Sequence, residues 1–184
     1  MSAIVKLTSR RTLLGAGLAL GASSLAAPAL ATITPPRQLS LVNLHTGEKL
    51  SAAFWEAGSY VPDALSAIAK VLRDHRTGEV HPIDPKLLDL LAQLSARLDS
   101  QRPFEVISGY RSPATNAKLH ARSNGVATRS LHMDGKAIDI RLPGVPLTRL
   151  RDTALNMQAG GVGYYPNSNF VHVDVGRVRR WSGS

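Results

Sequence analysis

The chain has no cysteine. That excludes a disulfide framework and any zinc site built on thiolates, so a metal here must be held by His, Asp or Glu, a donor set that suits catalytic zinc better than structural zinc. Aromatic residues are few, 5% of 184, and the basic residues are not interleaved with them. The signature of a nucleic-acid surface is therefore missing, and nucleic acid is not an expected partner. Acidic residues are scarce too: 13 Asp and Glu stand against 22 Lys and Arg, for a formal charge of +9. No apolar run reaches the roughly 20 residues that cross a bilayer. There is no GxGxxG, no Walker pattern and no internal repeat, so Gly109, Gly135 and Gly161 read as backbone devices, not phosphate loops.

What is present begins with a leader. Arg10 and Arg11 precede a Gly- and Ala-rich apolar run from Leu13 to about Ala27, and Ala29-Leu30-Ala31 follows as a small-x-small cleavage site. This layout predicts a twin-arginine (Tat) signal peptide over residues 1–31, and hence a periplasmic protein. The alternative, a retained N-terminal membrane helix, is disfavoured by the shortness of the run. Residues 32–37 (TITPPR) read as a linker, and residues 38–184 as one domain. The leader carries Lys6, Arg10 and Arg11 and no acid, which leaves +6 for the rest. A basic exported protein meets anionic partners, here cell-wall polymers or lipid head groups.

Patterning along the domain predicts an α+β fold. Alternation on both sides of His45-Thr46-Gly47-Glu48 reads as a β-hairpin. Residues 62–72 carry apolar positions at helical spacing. Asp84-Pro85 opens a second helix, with Leu87, Leu90, Leu91, Leu94 and Leu98 on one face. Residues 104–109 read as a strand, Ser112-Pro113 as the start of a short helix, and 136–142 as a strand. Residues 147–158 read as a helix stopped by Gly160-Gly161. "GVGYY" and "NFVHVDVG" are two further strands.

The chemistry concentrates in "SLHMDGKAIDIR" (130–141) and "FVHVDVG" (170–176). Asp134-Gly135 reads as a two-residue hairpin turn. Ser130, His132, Ala137 and Asp139 would then share one face, with His132 and Asp139 as diagonal neighbours. In the second segment the valines 171, 173 and 175 fall on one face, and His172 and Asp174 on the other. His132, Asp139 and His172 offer two imidazoles and a carboxylate, which leaves a fourth tetrahedral position open for water. Asp174 is then the nearest candidate base, or a support for a ligand. A structural hydrogen-bond cluster is the alternative for the three. His45, His75, His81 and His120 have no acidic partner in such a pattern and read as structural or surface residues.

Ser130-x-His132-x-x-Gly135-x-Ala137-x-Asp139 matches the SxHxxGxAxD motif of the LAS-type zinc peptidases. With "ISGYRSPATN" and "GGVGYYPNSNFVHVDVGRVRRW", the chain resembles more closely the MepK-type murein endopeptidases within that group. The resemblance covers most of the domain and is densest from Val106 to Trp181. It implies a small antiparallel sheet flanked by helices, Zn2+ on His132, Asp139 and His172, and hydrolysis of peptidoglycan stem peptides and cross-links. It also implies that Arg111, after the "GY" pair, positions substrate or polarises the scissile carbonyl, and Ser130 is a candidate substrate contact. Many relatives carry a Glu or His a few residues before the last ligand. Residues 167–171 are Asn, Ser, Asn, Phe and Val, so Asp174 stands in as the candidate base. The alternatives are a D-Ala carboxypeptidase with the same metal site and a non-catalytic wall-binding module.

Overall fold

The computed structural model describes residues 35–122 and 126–183; the leader expected at 1–31 lies outside them. In chain order the elements are β1 (Arg37–Asn43), β2 (Lys49–Glu56), β3 (Ser59–Tyr60), α1 (Pro62–Val71), α2 (Pro85–Arg97), β4 (Phe104–Ser108) and α3 (Pro113–His120). A 3-10 turn (Leu131–Asp134), β5 (Ala137–Arg141), α4 (Leu147–Met157), β6 (Gly161–Tyr165), β7 (Phe170–Asp174) and β8 (Arg179–Ser182) follow. The α+β class is as read. The sheet is larger than expected: eight strands in the order β3-β2-β1-β4-β5-β7-β6-β8. It is mostly antiparallel, but β1 runs parallel to β4 and β6 parallel to β8. The two short edge strands, β3 and β8, carry too few residues to show a period, which is why patterning alone misses them.

The helices form where their start signals stand. The Asp84 carboxylate accepts from the Lys86 amide, and Pro85 occupies the first turn of α2. Leu87, Leu88, Leu90, Leu91 and Leu94 are buried on one face of α2. Each such leucine contributes about 1.5–3 kcal/mol relative to exposure. They pack in one core with Ile68 of α1, Leu39 and Leu41 of β1, Ile138 and Ile140 of β5, and Val171 and Val173 of β7. The first hairpin is as read, with Gly47 at φ 74° between β1 and β2. Two boundaries differ. Arg37, expected in the linker, is the first residue of β1. The stop of α4 is Gln158, in left-handed conformation at φ 49°, two residues before the glycine pair. Gly160 and Gly161 are needed for another reason: a Cβ on either would strike Asp174.

The loop between α1 and α2 braces the region that will matter chemically. Asp74, 1% exposed, accepts from the Ser112 amide (2.9 Å), the Ser112 hydroxyl (2.6 Å) and the Arg76 amide (2.9 Å). Ser112 in turn caps α3 through the Thr115 amide. Burial opposes the charge on Asp74, but the bonds from Ser112, Thr115 and the two backbone amides outweigh it and hold the carboxyl well below its usual range. A depressed carboxylate contributes stability that is present above its unfolded pKa, near 4, and is lost as pH falls through its folded value. Asp74→Asn is therefore expected to cost about 1–3 kcal/mol at pH 7, with the gap to the parent narrowing as pH falls below about 4. Urea unfolding at pH 7 and pH 3 checks this; a gap that is constant with pH would refute it.

Candidate metal centre

The segment 131–136 is not a hairpin. Leu131–Asp134 wind into a single 3-10 turn closed by Gly135, at φ 64°. The expected pairing of His132 with Ala137 is therefore absent. The turn is locked by three backbone bonds, two of them from outside the segment. Lys136 donates to Leu131 (3.0 Å), Arg111 to the His132 carbonyl (3.2 Å), and Asp84 to the Gly135 carbonyl (3.0 Å). The 73–84 loop presses so closely that a Cβ at Gly135 would collide with the Pro82 carbonyl oxygen. Glycine there satisfies both the left-handed φ and the close approach.

His132 nonetheless reaches the same point as Asp139 and His172. Those two are direct cross-strand partners on β5 and β7. The alternation read from the sequence holds: Val171 and Val173 face the core, while His172 and Asp174 lie on the other face. Both imidazoles are aimed from behind. His132 Nδ1 lies 2.7 Å from the Gly109 carbonyl, which can only accept, so Nδ1 carries the proton and Nε2 faces inward. His172 Nε2 lies 3.0 Å from an Asp174 carboxylate oxygen, so Nε2 carries the proton and Nδ1 faces inward. The inward atoms stand 3.2 Å apart between the two rings, 3.3 Å from His132 Nε2 to Asp139 Oδ1, and 2.8 Å from His172 Nδ1 to Asp139 Oδ1. Zinc bonds of about 2.0–2.1 Å at tetrahedral angles put neighbouring donors about 3.3 Å apart. The triangle fits, with one edge slightly short. Among the described residues no other group of three His, Cys, Asp or Glu has metal-binding spacing.

The electrostatics agree with a cation at this point. Burial works against the charge on Asp139, but the two imidazoles outweigh it and hold the carboxyl well below its usual range. Burial likewise opposes charge on His172, yet the hydrogen bonds to Asp139 and Asp174 push its pKa up to about 9. The cluster thus draws positive charge to its centre, and a divalent ion would displace the proton.

Asp174 occupies a different position from the one expected of a base. It is fully buried on the far side of His172 from the inward donors. Its oxygens accept from the Gly161 amide (3.0 Å), the Gly176 amide (2.9 Å) and both terminal nitrogens of Arg179 (3.0 and 2.7 Å), besides His172. Arg111 does reach the site. Its guanidinium lies 3.8 Å from Asp139 Oδ2 and donates to the Ser108 hydroxyl (3.3 Å) and the Asn116 side-chain oxygen (3.4 Å). Ser130 lines the groove beside it and makes no side-chain cap bond to the 3-10 turn.

The donors open into a groove of about 710 Å³, a volume typical of ligand clefts. Arg111, Arg129 and Ser130 line it from the loops, and Tyr165, Phe170 and Trp181 from the strands. Trp181, missed in the sequence, lies across Gly163, where a Cβ would overlap its indole, and donates to the Tyr165 hydroxyl (2.8 Å). Tyr164 instead takes Arg151 over its ring. The other histidines are engaged elsewhere: His45 stacks on His75, His81 on Tyr110, and His120 meets the Val126 carbonyl.

Residues 31–181 match the family model described as peptidoglycan L,D-endopeptidase MepK. The chain belongs to this family. It is 47% identical over 176 residues to the peptidoglycan L,D-endopeptidase MepK of Escherichia coli (strain K12), covering 94% of this chain and 97% of that one. It is also 46% identical over 170 residues to the probable peptidoglycan L,D-endopeptidase MepK of Haemophilus influenzae, covering 91% of each. The MepK match takes in the whole groove except Ser182 and Gly183, so all three inward donors, Arg111 and Arg129 fall inside it.

Proposed function

We propose that this chain is a zinc-dependent endopeptidase that hydrolyses an amide in the peptide cross-links of peptidoglycan, acting outside the cytoplasmic membrane. The observation that carries this reading is the convergence of His132 Nε2, Asp139 Oδ1 and His172 Nδ1 at tetrahedral spacing, at the base of a groove and next to Arg111. Family membership supplies the substrate class, and the relatives' name favours the L,D bond. The twin-arginine leader supports export to the periplasm by the Tat route.

Zinc held by these three residues would polarise the scissile carbonyl and acidify the attacking water. The Arg111 guanidinium stands beside that point and donates charge-assisted hydrogen bonds to the oxygen on which negative charge develops. Ser130 contacts the bound peptide at the groove edge. Asp174 acts through His172: it fixes the ring so that Nδ1 points at the metal, and raises its basicity. Its own lone pairs are spent on Arg179 and two amides, which argues against a role as base. Asp139 is the single carboxylate among the residues lining the groove.

Digestion of purified sacculi by the zinc-loaded protein, followed by mass spectrometry of the muropeptides with and without a chelator, tests the reading. Loss of L,D-cross-linked dimers that stops with chelation is expected; release of terminal D-Ala from monomers alone would favour the carboxypeptidase. Zinc held without any change in the muropeptides would favour a binding module. For Asp174→Asn, zinc affinity is expected to fall about 10–100-fold, since the ring loses its acceptor and Arg179 its counter-charge. Competition with a chromophoric chelator measures it. Unchanged affinity with lost turnover would return Asp174 to the role of base.

A further inference from the structure

The charges lining the groove do not balance, and the surplus has a fixed place. Four charged side chains line it: Arg111, Arg129, Asp139 and Arg179. Asp139 is turned to the metal cluster. Arg179 is neutralised by the fully buried Asp174. Arg111 stands 3.8 Å from Asp139, and its buried Nε has no acceptor among the described residues. Arg129 is exposed and has no ion pair among the described residues. With a divalent ion in place, the groove therefore carries a net positive charge, and Asp139, a ligand of that ion, is the single carboxylate lining it.

The two unshared arginines are held in register by one buried side chain. Asn116, 3% exposed, accepts from Arg111 Nη1 (3.4 Å) and donates to the carbonyls of Ala127 (3.1 Å) and Thr128 (3.3 Å). The same amide thus fixes the guanidinium beside the metal cluster and the backbone immediately before Arg129. A solvated surface arginine needs no such support. The arrangement is that of a two-point site, one cation for the reacting carbonyl and one for an anion close by.

We propose that Arg129 is a specificity-determining residue that pairs with a free carboxylate on the leaving side of the scissile amide. This deepens the endopeptidase reading and rests on it. An amide nitrogen on a D-configured amino-acid centre is two bonds from that centre's carboxyl carbon. Cell walls present this group either as a carboxylate or as a carboxamide. A guanidinium pairs bidentately with the first and only weakly with the second. The substrate class is accordingly the unamidated stem, and amidation of the wall protects against this enzyme.

The test uses the zinc-loaded protein and two probes, a stem tetrapeptide with the leaving-side carboxyl free and its carboxamide. Calorimetric binding of these product-like peptides reads the inference without turnover. The carboxylate form is expected to bind at least tenfold tighter, with the advantage shrinking as salt is raised. Arg129→Gln should bring the two forms within about twofold of each other, and Arg129→Lys should restore part of the preference. Equal binding by the parent protein, or a preference that survives Arg129→Gln, overturns the proposal. Cross-linked dimers in both forms are digested in parallel. A binding preference without cleavage of either dimer would overturn the endopeptidase reading, and with it the leaving-side assignment, and would leave Arg129 only as a carboxylate contact.

Discussion

His132→Ala is expected to remove zinc and turnover together. The argument is geometric. The three inward donors form a triangle with edges of 2.8 to 3.3 Å, and each ring is already fixed from behind, His132 by the Gly109 carbonyl and His172 by Asp174. Removing one donor leaves a two-point site with no tetrahedral closure, and neither neighbour can move in to replace it. Zinc content should fall from about one per chain to a small fraction, and hydrolysis of cross-linked muropeptides by at least about a thousandfold. A second readout needs no substrate. A ligand that binds only the folded state stabilises it by about 2.7 kcal/mol at a hundred times its Kd. Added zinc should therefore raise the melting temperature of the metal-stripped parent and leave that of His132→Ala unmoved. A variant that keeps both zinc and activity would remove the basis for assigning the centre.

Arg111→Ala is the second large effect. Its expected signature differs: kcat lower by about 10²–10³, with zinc content unchanged. The guanidinium is largely buried, and burial pulls its pKa down from the ordinary value while Asp139 pulls it back. Its charge is incompletely neutralised, which suits a group whose full partner appears only as the carbonyl oxygen becomes anionic. Its place is set from the backbone, where the Arg111 amide bonds the carbonyl of His132 (3.2 Å), so the arginine and a metal-facing imidazole share one anchor. Arg111→Lys should recover only part of the rate, because a single ammonium lacks the planar fork that can face Asp139 and an oxyanion together. Steady-state kinetics on a defined cross-linked dimer, paired with metal analysis, separates this from a structural effect. A rise in KM alone would make Arg111 a binding residue only.

Much of this site is legible in the sequence because its pieces are local. The alternation in "FVHVDVG" dictates that His172 and Asp174 leave the valine face together, and β7 does this. Asp84-Pro85 and Ser112-Pro113 start helices where their side chains can cap amides. At Asp134-Gly135 a strong local hairpin signal is overridden by bonds from Arg111 and Asp84, distant in sequence. Arg179 and Asn116 were missed because neither belongs to a pattern: one sits on a four-residue edge strand, the other on a short helix, and each acquires its role only from what folds against it.

The sequence alone determined the fold class, the main helices and the alternating faces of β7, and it singled out the three side chains able to meet at one point. These follow from backbone periodicity and capping, which act within a few residues. Tertiary structure decided which ring nitrogen of each histidine points inward, that the Asp174 carboxylate is consumed by Arg179, and that Asn116 sets two arginines in register. Those outcomes depend on hydrogen bonds between segments tens of residues apart, where the partner of a polar group is fixed by the packing of the sheet and not by its neighbours along the chain.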